Sequence, residues 1–180
     1  MVEYFTYLLL ALMVIFPFFW LKVIKKNSWE EIHKILFPKF QGVKKELVGS
    51  LMLFVFLVIA FFLIIGLVSI LGINDLAKVD QVVKESVQNN ALIYFVSLLP
   101  ILFIEEFFFR AFLVSRIGVI PSTLLFTVAH FGYGSIAEFT GVFILGLILA
   151  YWFKKNKSLI QNYFGHVLYD LFAIGVYLFF

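Results

Sequence analysis

Three charged side chains stand inside a long apolar stretch of this sequence. Glu105, Glu106 and Arg110 interrupt residues 91–114, a segment long enough to cross a bilayer. Each charge at the centre of a membrane helix costs about 3 kcal/mol on insertion scales, so such residues by default mark a site. Glu106 and Arg110 are spaced i,i+4 with the acid first, which favours an ion pair along one helix face. Glu105 is turned about 100° away on the helix, so the two carboxylates can face different partners.

Two later apolar segments carry ionisable residues at a matching depth. Glu105 and His130 each lie nine residues from the predicted helix ends at residues 114 and 121, and His166 lies nine residues after Lys157, near the start of the last span and on the same side of the membrane. At 1.5 Å per residue, all three are about 13 to 14 Å from that membrane face. Asp170 follows His166 at i,i+4 and can stand above it on the same helix. The spacing therefore predicts one polar layer shared by three helices.

Several kinds of chemistry fit such a layer. A carboxylate and an imidazole beside one water form a general base, and a second imidazole can stabilise an oxyanion. Because the chain has no cysteine and no serine in this layer beside a base, water is the predicted nucleophile. Two histidines and a glutamate could instead hold zinc with an open position for water. The same groups could relay protons or ions in a transporter, or form a cavity that binds a partner without catalysis, as in an immunity or scaffold protein.

The composition places these residues in a membrane. Of the 180 residues, 63% are hydrophobic and only 14% are charged, against about half and a quarter in a soluble domain. The absence of cysteine excludes disulfides, thiolate metal sites and cysteine nucleophiles. The net charge of +3 is explained by the sorting of basic residues across a bilayer, and no nucleic-acid partner is predicted.

The hydrophobic pattern predicts an all-α membrane protein, a bundle of about six transmembrane helices with one or two short interfacial amphipathic helices. The predicted spans are residues 4–21, 47–71, 91–114, 121–133, 136–153 and 159–180. Ser28 and Glu31 form a capping-box pattern that predicts the start of a surface helix, and residues 74–90 predict a second one. We expect a single membrane domain over residues 1–180. In it, residues 1–90 supply two scaffold spans and surface helices, and residues 91–180 supply a four-helix, motif-bearing core.

The distribution of basic residues predicts the orientation. Eleven of the fourteen lysines and arginines fall in the connections after spans one, three and five, and only Lys78 and Lys84 fall on the opposite side. By the positive-inside rule, the eleven face the cytoplasm and both termini face outward. The sequence thus predicts a multi-pass integral membrane protein of the cell membrane, with membrane lipids as partners.

Three short motifs in the second half of the chain resemble those of a known protease group. Residues 105–110 (EEFFFR) resemble its EExxxR motif, residues 126–130 (FTVAH) its FxxxH motif, and residues 166–170 (HVLYD) its HxxxN or HxxxD motif. All three occur in order on successive predicted membrane helices. On these motifs the chain resembles the CPBP family, which comprises CAAX-type prenyl-protein endopeptidases, bacteriocin-processing proteins and bacterial abortive-infection relatives.

The resemblance implies a glutamate-dependent, metal-independent intramembrane endopeptidase acting on a small or membrane-anchored peptide. Carried over by position, Glu105 would activate water with His130, while His166 and Asp170 would form the oxyanion hole. Glu106 and Arg110 would support the site, and no cofactor is expected, although the sequence does not exclude zinc. Asp170 departs from the asparagine of the prenyl-protein proteases, since an ionised aspartate cannot donate a hydrogen bond to an oxyanion. It would instead orient His166 or stay protonated.

Overall fold

Seven helices make up the chain in the structure, a computed structural model that describes residues 2–73, 75–131 and 134–179, with only the backbone described for residues 2–6. They are α1 (Val2–Phe19, continued by a π-helical turn Trp20–Ile24), α2 (Trp29–Leu36), α3 (Val43–Ile70), α4 (Leu76–Glu105, continued by a π-helical segment Glu106–Val114 and the turn Ser115–Ile117), α5 (Val119–Ala129), α6 (Ile136–Asn156) and α7 (Leu159–Phe179). The predicted helix ends at residues 133 and 180 lie outside the described residues. The predicted all-α architecture is confirmed.

Within the described part of the chain, four helical stretches are long and apolar enough to cross a membrane, namely Tyr7–Ile24, Val43–Ile70, Leu76–Ile117 and Ile136–Asn156. Of the other two predicted spans, α7 has 21 residues, about 32 Å, but it carries several polar side chains. Helix α5 has only 11 residues, about 16 Å, and is too short to cross a hydrocarbon core of about 30 Å. The chain is a multi-pass helical membrane protein in which the short α5 serves to carry His130.

The outer surface of the bundle is apolar. On α3, Leu63 and Ile70 are 69% and 86% exposed, whereas Leu53 and Leu57 on the opposite face are fully buried. A soluble monomer rarely exposes a continuous apolar surface of this kind. The exposed face of α3 is therefore suited to lipid and the buried face to helix packing.

Helix α2 begins at the predicted capping box. The Glu31 N–H donates to the Ser28 hydroxyl, and the Glu31 carboxylate accepts from the Ser28 N–H at 2.7 Å. Its apolar side packs mainly on protein, since Ile32 and Leu36 are 1% and 0% exposed, while Trp29 is 62% exposed. The predicted surface helix is confirmed, and it also covers part of the core beside the π-helical segment.

Helix α4 consists of two parts that meet at Asn90. This residue has φ −164° and ψ 92°, and its side-chain oxygen accepts a hydrogen bond from the Ile93 N–H at 3.0 Å. Asn90 therefore acts as an N-cap for the membrane part of the helix. The predicted boundary between a second surface helix and the third span is confirmed. Pro100 lies within this membrane part, and helical φ/ψ angles continue from it to Glu105, where the π-helical segment follows.

Helices α5 and α6 pack closely where His130 is positioned. A Cβ atom on Gly146 would lie 2.9 Å from the Phe126 ring and 3.2 Å from Thr123, so this approach requires glycine. A Cβ on Gly141, by contrast, would make only ordinary contact with Ile64. Helix α5 begins at Val119, two residues before the predicted start at Pro121.

The start of α6 is capped by a residue from another part of the chain. The Asp75 carboxylate accepts hydrogen bonds from the backbone N–H groups of Ile136 and Ala137 at 2.6 and 3.1 Å, and from the Ser135 hydroxyl. Partial desolvation raises the pKa of Asp75, but these hydrogen bonds outweigh it and hold the pKa below its ordinary value. Asp75 thereby ties the segment before α4 to the N-terminus of α6.

This cap predicts a pH-dependent contribution to stability. Because the pKa of Asp75 is lower in the folded than in the unfolded protein, its contribution is full above about pH 4 and is lost as the pH falls through the folded-state pKa. We expect Asp75→Asn to lower the melting temperature at pH 7 and to flatten its fall below about pH 4. Thermal unfolding in detergent measures both effects. Asp80→Asn, which removes only a half-exposed pair with Lys84, is the control; an equal loss in the control would contradict the capping role.

Candidate active site

The π-helical segment of α4 gives the two adjacent glutamates different surroundings. It begins at Glu106, and such segments occur frequently at functional sites. Glu106 and Arg110 are completely buried, whereas the Glu105 side chain is 15% exposed. The two carboxylates therefore face different partners, as the sequence predicts.

Glu105 faces His130 across α4 and α5. The Glu105 Oε1 atom lies 3.8 Å from His130 Nε2. At the end of α5, His130 Nδ1 lies 2.8 Å from the Phe126 carbonyl oxygen, which can only accept. Nδ1 is thus the donor, and in the neutral ring the lone pair of Nε2 points towards Glu105. At 3.8 Å the two groups do not bond directly, but both can accept from one molecule placed between them.

Glu106 contacts His166 in addition to Arg110. The Glu106 Oε1 atom lies 2.9 Å from His166 Nδ1, a hydrogen-bond distance, and Oε2 lies 3.5 Å from Arg110 Nε. The predicted ion pair along α4 is present, and its carboxylate also holds the imidazole of α7. Among the described residues, no guanidinium nitrogen of Arg110 has a hydrogen-bond partner, so charge and packing hold this side chain.

Asp170 lies on the other side of the His166 ring. Its Oδ1 atom is 3.5 Å from His166 Nε2, one turn along α7. The two nitrogens of His166 therefore each face a carboxylate, Glu106 at Nδ1 and Asp170 at Nε2. The predicted i,i+4 relation of His166 and Asp170 is present in the structure.

One cavity of about 360 Å³ brings the predicted site residues together. Glu105, His130, His166 and Asp170 all line it, and much of the remaining wall is apolar side chains of α3, α4, α6 and α7. Glu106 and Arg110 lie behind this wall, and Glu106 contacts it through His166. Ligand pockets usually measure about 300 to 1,000 Å³, so the cavity is of a size suited to binding.

Two residues of the site were not predicted to act there. Phe126, the first residue of the FxxxH motif, lies with its ring centroid 4.2 Å from the Arg110 guanidinium carbon and 4.4 Å from the His130 ring. It therefore supports Arg110 by a cation–π contact and His130 through its carbonyl. Glu138, near the start of α6, also lines the cavity. No pattern in the sequence indicates that Glu138 lies at the cavity, because its position there depends on how α6 packs against the other helices.

The zinc alternative requires several ligand atoms that converge on one point. Within residues 2–73, 75–131 and 134–179, no group of three or more histidine, aspartate or glutamate side chains is arranged to hold a metal ion. Loss of activity on treatment with a chelator would be the sign of a bound metal.

The fold and these side chains define a helical membrane protein with a buried carboxylate–histidine site. Residues 87–172, which contain all three motifs, match the family model of the type II CAAX prenyl endopeptidase Rce1-like proteins. The match confirms the resemblance inferred from the motifs. A membrane-embedded protease family of this kind implies a lipid environment and a peptide or protein substrate. No curated protein and no solved structure matches the chain significantly.

Proposed function

We propose that this protein is an intramembrane peptidase in which Glu105 and His130 activate a water molecule to hydrolyse a peptide bond. The observation that carries the proposal is the 3.8 Å approach of Glu105 Oε1 to His130 Nε2 at the cavity wall. Two acceptors at that separation suit one water, which would donate a hydrogen bond to each. A positioned general base of this kind contributes about 10²- to 10⁴-fold to a rate.

The reaction balances with these groups alone. The water oxygen attacks the carbonyl carbon while its proton passes to Glu105. The resulting tetrahedral intermediate breaks at the C–N bond, and the proton is returned to the leaving amine. The products are a new carboxylate and a new amino terminus, so a single base that becomes an acid completes the cycle.

His166 is proposed to stabilise the oxyanion of the intermediate. Because each of its nitrogens faces a carboxylate, a ring that carries hydrogen on both would donate Nδ1–H to Glu106 and Nε2–H into the cavity. Asp170, only 3.5 Å from Nε2, orients that donor, and the oxyanion would take its place as acceptor. This assigns Asp170 a positioning role instead of the donor role of an asparagine.

The apolar walls of the cavity suit a hydrophobic peptide. Leu98, Ile101 and Val83 line it on one side and Phe61 and Ile64 on another. A small or membrane-anchored peptide would present such side chains from within the bilayer. By the asymmetry of Lys and Arg, we place the site near the cytoplasmic face of the cell membrane, with both termini outside.

Comparison of peptide termini by mass spectrometry tests the proposal without a known substrate. Membranes containing the parent chain are expected to produce new termini that disappear in His130→Ala, because the water loses one of its two acceptors. His33→Ala, which removes an exposed histidine on α2, is the matched control and should keep them. Parent-specific termini that persist in His130→Ala would contradict the assignment, and their loss with a chelator would favour the zinc alternative.

A further inference from the structure

A second groove lies apart from the proposed active site, where α2, α4 and α6 end on the same face of the bundle. Its volume is about 570 Å³, and none of its lining residues lines the site cavity. Four of its lining residues are cations and none is an acid: Lys34, Lys39, Arg116 and Lys157. This concentration of one charge is not required by the proposed reaction.

The cations have little to neutralise them within the protein. Among the described residues, the side chains of Lys39, Arg116 and Lys157 have no hydrogen-bond or ion-pair partner, and the Lys157 Nζ atom only approaches the Phe153 ring at 5.7 Å. Lys34 pairs with Glu30 at 2.7 Å, but both side chains are more than 70% exposed. An exposed pair of this kind contributes little and can be exchanged for another anion.

Helix ends offer an alternative explanation for the charges, since cations stabilise the carbonyl ends of helices. Three of the carbonyls at these helix ends accept hydrogen bonds from other donors. The Lys157 N–H donates to the Phe153 carbonyl, the Gly118 N–H donates to the Val114 carbonyl, and the Gln41 amide donates to the Asn156 carbonyl. The ammonium and guanidinium groups of the four basic side chains therefore remain available to an anion from outside the chain.

The groove also has apolar and hydroxyl groups beside its charges. Ile35 and Phe153 form part of its floor, and Ser115 adds a hydroxyl. Phe40 and Ile117, each adjacent in sequence to a cation of the groove, are 51% and 44% exposed. A phosphate group with acyl chains matches this combination better than a free phosphate does, because the exposed apolar residues would contact the chains.

We propose that this groove binds the phosphate headgroup of an anionic phospholipid. The groove lies in the segments that the positive-inside rule assigns to the cytoplasmic face, where anionic lipids attract basic residues. Each lysine or arginine near such a surface is worth about 1 kcal/mol, a factor of about five in affinity. Loss of three cations is expected to weaken binding on the order of 100-fold.

The test uses the full chain in nonionic detergent, titrated with phosphatidylglycerol, phosphatidylcholine or inorganic phosphate. The midpoint of the rise in melting temperature gives the affinity, and native mass spectrometry of the parent counts retained lipid. The groove variant is Lys39→Gln with Arg116→Gln and Lys157→Gln. The matched control is Lys25→Gln with Lys44→Gln and Lys154→Gln, three exposed lysines of the same face outside the groove.

We expect phosphatidylglycerol alone to stabilise the parent and the control, and to act on the groove variant only at about 100-fold higher concentration. Equal weakening in both triple variants would overturn the proposal in favour of general surface attraction. Equal stabilisation by inorganic phosphate would overturn the lipid assignment, as would equal retention of phosphatidylcholine. If the groove variant does not fold, the single variants Arg116→Gln and Lys44→Gln are compared in the same way. The affinity of Arg116→Gln for phosphatidylglycerol is expected to be about fivefold lower than that of Lys44→Gln.

Discussion

Replacing Glu105 by glutamine is expected to lower the rate of peptide cleavage by about 10²- to 10⁴-fold while the protein remains folded. Glutamine has nearly the same shape but cannot take a proton from water, so the general base is lost and the cavity is kept. The side chain is partly exposed to the cavity and makes no direct hydrogen bond in the described structure. The substitution therefore leaves no buried charge without a partner.

The measurement is the single-turnover rate for a peptide recovered from the terminus comparison, with melting temperature as the folding control. Glu85→Gln, on the exposed side of α4, is the matched variant and should cleave at the parent rate. Cleavage by Glu105→Gln within a few-fold of the parent would remove Glu105 from the chemistry. Loss of cleavage together with unfolding would assign it a structural role.

Replacing Glu106 by leucine is expected to destabilise the protein by about 3 to 5 kcal/mol, because it leaves the Arg110 charge buried without its carboxylate. A second change, Arg110→Met, removes that charge and should recover most of the stability, since an apolar pair of similar volume replaces a buried ion pair at little cost. Thermal unfolding of the parent, the single variant and the double variant measures this recovery.

The cleavage rate of the double variant distinguishes a purely structural role of Glu106 from a role in positioning His166. If Glu106 orients His166 through the 2.9 Å contact, the stable double variant should still cleave about 10²- to 10³-fold more slowly than the parent, as expected for an oxyanion donor that is no longer held in place. Recovery of both stability and cleavage would show that Glu106 serves only to neutralise Arg110. The conservative variant Glu106→Asp provides a further comparison, since partial rescue requires a carboxylate.

The layer of ionisable groups could be predicted from the sequence, because this prediction requires only the rise per residue of a helix and the positions of the segment ends. Glu105, His130 and His166 line one cavity, as their equal depth indicated, and Asp170 lines it one turn further along α7. The contact between the Glu106 carboxylate and the His166 ring was not predicted. The i,i+4 rule describes neighbours on one helix, and the contact between α4 and α7 depends on how the π-helical segment turns the Glu106 side chain.

The fold was predicted best where local chemistry determines it. The capping box at Ser28 and the boundary at Asn90 follow from hydrogen bonds within a few residues. The cap that Asp75 provides for α6 joins residues about sixty positions apart, so no local pattern could indicate it. The position of Glu138 at the cavity could not be predicted for the same reason, because it depends on how α6 packs.

A double-mutant cycle of cleavage rates tests most directly whether Glu105 and His130 act on one water. Glu105→Gln, His130→Ala and the double variant are compared with the parent on one peptide under single-turnover conditions. Because residues that act as a unit are not additive, the double variant should cleave no more slowly than the slower single variant. Losses that multiply in the double variant would show that the two residues act independently, and the proposed mechanism would be wrong.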